Sequence, residues 1–404
     1  MAIQENSKLQ NFLAFIVIGG LPFYYFLREF VVISSSVYAG FLGLLFIVSL
    51  KQILGDRVKL RLLVKKFFLL EIIMVLNIIL VCLYLGHIER SLVLLFVTLF
   101  ISKSLFISKT KHDFEIASNI ITCSAFFAAI GVMLGLAESI VGNSNFFIQI
   151  MGFDYPYSDG LDETTLINGF FASANGSAYC LGAGLAFIKF QNIFKGGLQK
   201  FLCLFLITAL FITKAKFAFL IAAAYIGFTL LNKSPKNLLL IYLLMLGVSY
   251  LFLSHIIIAV SGTYDYPSLH YRERLLSIGS IDFILGNYGA FKLYALEAIS
   301  FNNLMPIGLD TFEKIYSGRP HFMIGALIIS GGIGSAILVL SYIYLILKDC
   351  WKEILIAINK NQVYITILLC FTLETMNWNF TNSFYFWAVI MGVESINKYS
   401  ELDH

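Results

Sequence analysis

Long apolar runs recur along the whole chain, and they constrain its fold more than any other feature. A run of about 17–25 apolar residues is long enough to cross a bilayer as a helix. Such spans are expected at about 12–27, 30–50, 67–85, 91–108, 117–137, 169–190, 201–213, 217–232, 238–259, 321–347, 362–376 and 384–396. Lipid-exposed backbone must satisfy its own hydrogen bonds, so each is expected to be helical. The runs at 201–213 and 384–396 are short, so they either borrow neighbouring residues or include a re-entrant hairpin. Only 13% of the 404 residues are charged and 59% are hydrophobic, whereas a soluble domain carries about 25% charged residues. So few charges cannot clothe a globular surface. The expected fold is an all-α polytopic membrane protein of about twelve transmembrane helices, one integral membrane unit over 1–404. The first run, near Asn11, lacks a small-residue cleavage site and reads as a retained span.

Lysine and arginine set the orientation, because cytoplasmic connections are enriched in them. Alternate connections, starting with the N-terminus, hold 17 of the 28 bases, six of them in 51–66. The opposite set holds nine, and only Lys103 and Lys189 fall inside spans. Both termini are therefore expected in the cytoplasm, with two long loops, 138–168 and 260–320, facing outward. The net charge of +4 reflects these clusters between apolar runs and does not point to nucleic acid. The six cysteines are scattered and form no CxxC, so neither a zinc site nor a disulfide framework is expected.

The two outward loops carry the candidate chemistry. The first holds five acids and no base, with Asp154 and Asp162 near Tyr155 and Tyr157. Carboxylates that accept hydroxyl protons, beside rings that cover apolar sugar faces, suit a sugar acceptor; a solvated loop is the plainer alternative. The second loop is about sixty residues long, well beyond the roughly 12–15 residues of ordinary connections. It is aromatic and apolar enough to contain a helix lying along the membrane interface. Outward bases concentrate in the turn with Lys214 and Lys216 and in the long loop, with Arg272, Arg274, Lys292, Lys314 and Arg319. Arginine suits bidentate recognition of phosphate and lysine suits it as a point charge. Such a cluster at a membrane surface fits a lipid-pyrophosphate substrate, although headgroup anchoring would use the same residues. His321 follows Arg319 where the next span begins, near water yet partly desolvated, a place where a general base can be tuned. His270 is its competitor; His87 and His404 have no chemical company in the sequence. Gly331, Gly332 and Gly334 read as positions of close helix approach. No metal-ligand spacing occurs.

Several segments resemble the O-antigen polymerase and ligase superfamily. GFFASANGSAYCLGAGLAF (169–187) resembles its G-F-x-x-x-x-N span, which includes Asn175, and TKAKFAFLIAAAYIGF (213–228) resembles its S-R-x-x-x-L span opening. YRERLLSIGS, which starts at Tyr271, resembles the arginine element of its large periplasmic loop. PIGLDTF (306–312) resembles its P-x-G-x-G turn, and PHFMIGALIISGGIG (320–334) its P-H-N-x-x-L…G-I-x-G element. Order, spacing and sidedness agree over about 169–334, while the first 168 residues match only as hydrophobic spans. Lys216 stands where the family usually has arginine, Phe322 where it often has asparagine, and no arginine precedes Gly169.

The resemblance implies a bacterial inner-membrane glycosyltransferase of the GT-C type, metal-independent and without a cofactor, acting on the periplasmic face. Its donor would be an oligosaccharide on undecaprenyl pyrophosphate. His321 would deprotonate or orient the acceptor hydroxyl. Arg272 or Arg274 would neutralise the leaving pyrophosphate, with Lys216 acting likewise and Lys214, Arg319, Tyr271 and Asn175 as further binding residues. Two reactions fit: polymerisation of lipid-linked repeat units, with a chain-length regulator as a possible partner, or ligation of the finished glycan to lipid A–core. The acidic, tyrosine-rich 138–168 loop favours the polymerase. A different class, a lipid-linked glycan transporter, is disfavoured by the scarcity of mid-span charge and the absence of internal repeats.

Overall fold

A computed structural model describes residues 2–22, 35–55, 57–107, 110–141, 148–153, 162–171, 174–213, 215, 217–218, 220–222, 225–226, 304–316, 323–357, 362–374 and 383–400. The expected segments at 238–259 and most of 217–232 and 260–320 lie outside these residues.

The described chain holds helices, the turns between them and one two-stranded ribbon. In order the elements are α1 (Ala2–Ala14), a π-helical turn (Phe15–Gly19), α2 (Ser35–Gly55), α3 (Arg57–Leu85), α4 (Arg90–Phe106), α5 (Lys111–Val141), β1 (Ile148–Phe153), β2 (Asp162–Ile167), α6 (Ala174–Phe187), α7 (Gly197–Ile212), α8 (Leu309–Tyr316), α9 (Met323–Ala357), α10 (Gln362–Glu374) and α11 (Phe384–Ser400). β1 and β2 pair antiparallel, Ile148 opposite Ile167 and Phe153 opposite Asp162, inside the acidic 138–168 segment. Both strands are rich in β-branched or aromatic residues, which suit a pleated ribbon.

Two helical stretches, Lys111–Glu138 and Met323–Lys348, are long and apolar enough to cross a membrane. Shorter apolar helices occupy Lys8–Gly19, Val37–Lys51, Leu69–Leu85, Gly197–Ile212 and Phe384–Val393. Element limits differ from the expected ones where charge was read as an interruption. The basic stretch 57–66 is the first part of α3, and α9 continues past Lys348 to Ala357. Lysine and arginine are good helix formers, so a cluster of them ends an apolar run without ending a helix. α3 stops at Leu85 because Gly86 takes φ +71°, the left-handed stop that glycine adopts without a steric penalty.

α3 is apolar on its outward face. Leu69, Ile72, Ile73, Leu76, Ile79, Leu80 and Leu83 point away from the bundle, with Leu69, Leu80 and Leu83 72%, 65% and 73% exposed. These recur at helical spacing, and the opposite face presents Phe67, Met74 and Val81 to the core and holds Glu71 and Asn77 among protein partners. Apolar residues on α2 (Phe41, Leu44, Ile47), α7 (Phe201, Leu204) and α9 (Ile333, Ile337, Tyr344) are exposed in the same manner.

Inside, small residues bring helices together. A Cβ on Gly184 of α6 would collide with Ala125 of α5, and one on Gly131 of α5 would lie 2.6 Å from the Phe170 ring. Just beyond the end of α6, the Asn119 amide of α5 donates to Asn192 Oδ1 (2.8 Å) and the Asn192 amide donates to Glu115 Oε2 (3.1 Å). The π turn carries the wider hydrogen bond from the Gly20 amide to the Phe15 carbonyl, 2.9 Å. The Ile18 carbonyl accepts the Ser124 hydroxyl at 3.0 Å, and Ser124 also meets the Tyr385 hydroxyl at 2.8 Å. A π turn thus ties α1 to α5 and α11 through one backbone oxygen.

Candidate functional site

One end of the bundle collects the described parts of the motif segments. Phe106 and Phe187, the last residues of α4 and α6, have ring centroids 5.0 Å apart, so the two helices finish together. The Ser395 hydroxyl, late in α11, also bonds the Phe106 carbonyl there, while Tyr385, early in α11, packs against Phe171 at 6.2 Å. The first turns of α4, α6 and α11 therefore share the opposite end.

At that end the chain between β2 and α6 is laid across α5. Gly169 takes φ +59°, and a Cβ there would stand 2.7 Å from the Val132 amide nitrogen. The Ile167 amide donates to the Thr213 carbonyl at 3.4 Å, and the Ser177 hydroxyl donates to the Asn168 carbonyl. The Gly169–Phe170 pair is thus a backbone turn rather than the helical start expected of it; α6 begins only at Ala174. Asn175 is its second residue and is half-buried. The two motifs continue side by side: Tyr179 stacks on Phe217 at 4.4 Å, and both meet Phe371 edge-on.

The PIG turn meets α9 at the same end. Its Ile307 and Gly308 amides both donate to the Ile329 carbonyl, 2.9 Å each, and the Ile333 amide donates to the Leu304 carbonyl at 3.1 Å. These bonds occupy groups that a continuous helix would use internally. Gly332, at φ 70° and ψ 179°, breaks α9 there. The expected close approach holds for Gly331, where a Cβ would meet Leu92, and for Gly334, where it would meet Asn77. Gly332 instead supplies a backbone conformation closed to L side chains. Below the break, the Asn77 amide donates to the Ser335 hydroxyl (2.6 Å), which donates to the Gly331 carbonyl (3.0 Å).

Glu89 joins this assembly from the α3–α4 turn. Its carboxylate is buried, accepting the Ser91 hydroxyl at 2.6 Å and the Leu309 amide, first of α8, at 3.2 Å. A Cβ on Gly308 would stand 3.2 Å from Glu89 Oε2 and 3.4 Å from His87 Nε2. His87, read from the sequence as isolated, therefore has Glu89 and the PIG turn as company.

Of the residues named from the sequence, His321, Arg272, Arg274, Lys214, Lys216, Arg319, Tyr271 and Asp154 lie outside the described residues. Asp162 opens β2, where its backbone pairs with Phe153. Lys103, passed over as one base inside a span, is fully buried and forms an ion pair with Glu71. The Tyr342 hydroxyl donates to the same Glu71 oxygen at 3.0 Å, and the Phe67 ring lies 5.2 Å from the ammonium. Counting bases alone could not find this pair, because its signal was an acid and a base in successive spans. Among the described residues no cluster of three or more His, Cys, Asp or Glu could hold a metal ion.

No protein-family model, curated protein or solved structure matches the chain.

Proposed function

We propose that the protein is a polytopic membrane glycosyltransferase that joins polyprenyl-pyrophosphate-linked repeat units, an O-antigen-type polymerase. The observation that carries this reading is the gathering of three separate motif segments, 167–171, Thr213 and 304–309, at one end of the bundle. The segments that follow them in sequence contain Lys214, Lys216, Arg319 and His321. Membrane insertion is supported by the exposed leucine face of α3, since a contiguous apolar surface of this kind needs an apolar solvent. The positive-inside bias turns the motif-bearing end outward, to the periplasm, with both termini in the cytoplasm.

The chemistry asks little beyond the chain's own residues. Arg272, Arg274 and Lys216 neutralise the pyrophosphate as it leaves. His321 takes the proton of the acceptor hydroxyl, a contribution of typically a hundredfold to ten-thousandfold. Asp154, Asp162 and Asn175 hold sugar hydroxyls, and the outward spans receive the polyprenyl chain. The related ligase differs only in its acceptor.

A transport function is the second reading, and two observations favour it. α9 is broken at Gly332, and Lys103 and Glu71 form a buried ion pair, where the sequence had suggested almost no charge within spans. Broken helices and buried ionisable groups are common in transporters. The pair is bound to Tyr342 and beside Phe67, which suits a structural clamp equally well.

The test is a lipopolysaccharide gel of a strain lacking this gene, complemented with wild type or His321→Ala at matched protein levels. The polymerase reading expects a ladder with wild type and core carrying a single repeat unit with His321→Ala. Bare core with accumulated lipid-linked polymer would indicate the ligase. An unchanged ladder in the His321→Ala strain would remove that histidine from the mechanism. Liposomes in which lipid-linked glycan is moved but not extended would establish transport.

A further inference from the structure

We propose that the connection between α6 and α7 binds the phosphate of an anionic phospholipid. Lys189, Lys195 and Lys200 supply the charge, and the outward face of α7 supplies the apolar contact. The proposal rests on the membrane part of the reading above and not on its transfer chemistry.

The connection has a fixed shape because amide side chains bond its backbone, whose polar groups need partners. Gln191 is buried, and its amide donates to the Ile188 carbonyl (3.2 Å) and to the Phe194 carbonyl. Its Oε1 accepts the Phe194 amide at 2.6 Å. Asn192 is held from α5, where its backbone amide donates to Asn119 Oδ1 at 2.9 Å. Gln199, in the first turn of α7, donates to the Ile188 carbonyl, which brings the chain next to Lys200 against the chain next to Lys189. Gly196 takes φ +62° where the chain enters α7. Phe190 and Phe194 turn inward, with ring centroids 5.6 Å from Phe114 and 5.9 Å from Phe126 of α5.

What remains outside is basic and apolar together. Lys189, Lys195 and Lys200 are exposed, and Ile193, Leu198 and Phe201 among them are 54%, 52% and 57% exposed. No Asp or Glu occurs from residue 164 to residue 264. The acid that meets the connection from α5, Glu115, accepts the Asn192 amide. Among the described residues none of the three lysines forms an ion pair. The apolar exposure continues along α7 through Leu204 and Phe211, at the spacing of one helix side. A free anion in water has no use for that stripe. A phospholipid joins a phosphate to acyl chains and takes both. Lysine stems lie along apolar surface while their ammonium groups stay in water, and bases beside an anionic leaflet attract its headgroups.

The experiment titrates the full chain in detergent with phosphatidylglycerol, phosphatidylcholine and inorganic phosphate, and reads bound ligand by native mass spectrometry. It compares wild type with a site variant carrying Lys189→Gln, Lys195→Gln and Lys200→Gln. A control of equal charge loss carries Lys8→Gln, Lys51→Gln and Lys348→Gln, whose lysines are also exposed. Wild type is expected to bind phosphatidylglycerol more tightly than phosphatidylcholine. A base near an anionic headgroup contributes about fivefold, so the site variant should lose about a hundredfold in phosphatidylglycerol affinity while the control keeps it. If the site variant does not purify as a monodisperse protein, Lys195→Gln alone decides, with a loss of about fivefold expected. Equal affinity for the two lipids, no loss in the site variant, or equal loss in site and control variants overturns the site while the membrane reading stands. Inorganic phosphate that binds as tightly as phosphatidylglycerol and competes with it would make free phosphate the ligand and overturn the lipid assignment. Wild type that, on detergent removal, fails to float with vesicles of either lipid overturns the membrane reading itself.

Discussion

Lys103 and Glu71 show how one side-chain pair constrains four helices. The ion pair joins α4 to α3, Tyr342 brings in α9, and Trp387 of α11 packs edge-on against the Tyr342 ring at 6.2 Å. A buried pair is weak in net stability but strong in what its breakage exposes, because a lone partner is left as an uncompensated charge. Lys103→Met should therefore lower stability by about 3–5 kcal/mol, and Lys103→Met combined with Glu71→Leu should recover much of that loss. The check is thermal unfolding of detergent-purified protein, followed by size-exclusion chromatography. Equal loss in the single and double variants would show that the ion pair does not set the cost. Lys103 was legible as a base within a span, but its partner Glu71 was not, since 32 residues separate them in sequence.

At the scale of elements, α9 is two helical pieces joined at Gly332, with the PIG turn supplying the hydrogen bonds that the break releases. Backbone groups left open at such a break need partners, and here Leu304, Ile307 and Gly308 provide them. Gly332 at φ 70°, ψ 179° occupies a region essentially restricted to glycine, so Gly332→Ala should destabilise by about 1–3 kcal/mol from the backbone conformation alone, with added crowding from Pro306 Cδ 3.1 Å from the new Cβ. Gly43→Ala in α2, where a Cβ meets nothing within 4 Å, should be stabilising by about 0.8–1 kcal/mol from helix propensity. The two variants compared by thermal unfolding separate strain from propensity, and similar shifts would contradict the break. The G-G-I-G sequence announced small residues but not this use of them. Helical periodicity runs unbroken through 323–347, and only the arrival of 304–308 from elsewhere in the chain gives the break its partners.

At the scale of the whole molecule, the described part of α3 turns its leucines outward and Glu71 and Asn77 inward to protein partners. Under the membrane reading, the motif-bearing end faces the periplasm. A cysteine introduced at Ser268 should then react with a membrane-impermeant maleimide in intact cells whose outer membrane has been permeabilised. One introduced at Ser400 should react only after the inner membrane is opened. Labelling of Ser400→Cys in intact cells would reverse the orientation and move the proposed chemistry to the cytoplasm. The helical class and most element positions were legible because apolar length and spacing are local properties. The acidic 138–168 segment read only as a loop, and its ribbon was missed, because two six-residue strands give a weak periodic signal.

The sequence by itself determined that the described chain is made of apolar helices and roughly where most of them lie. Those properties follow from run length, which needs no knowledge of neighbours. Tertiary structure alone decided that Lys103 has Glu71 as its partner, that Gly332 breaks α9, that Gly169 turns across α5, and that Glu89 caps a helix 220 residues away. Each depends on a group brought in from a distant part of the chain. The satisfaction of a buried charge or an open backbone amide is a property of the assembled bundle, and no window of sequence contains both partners.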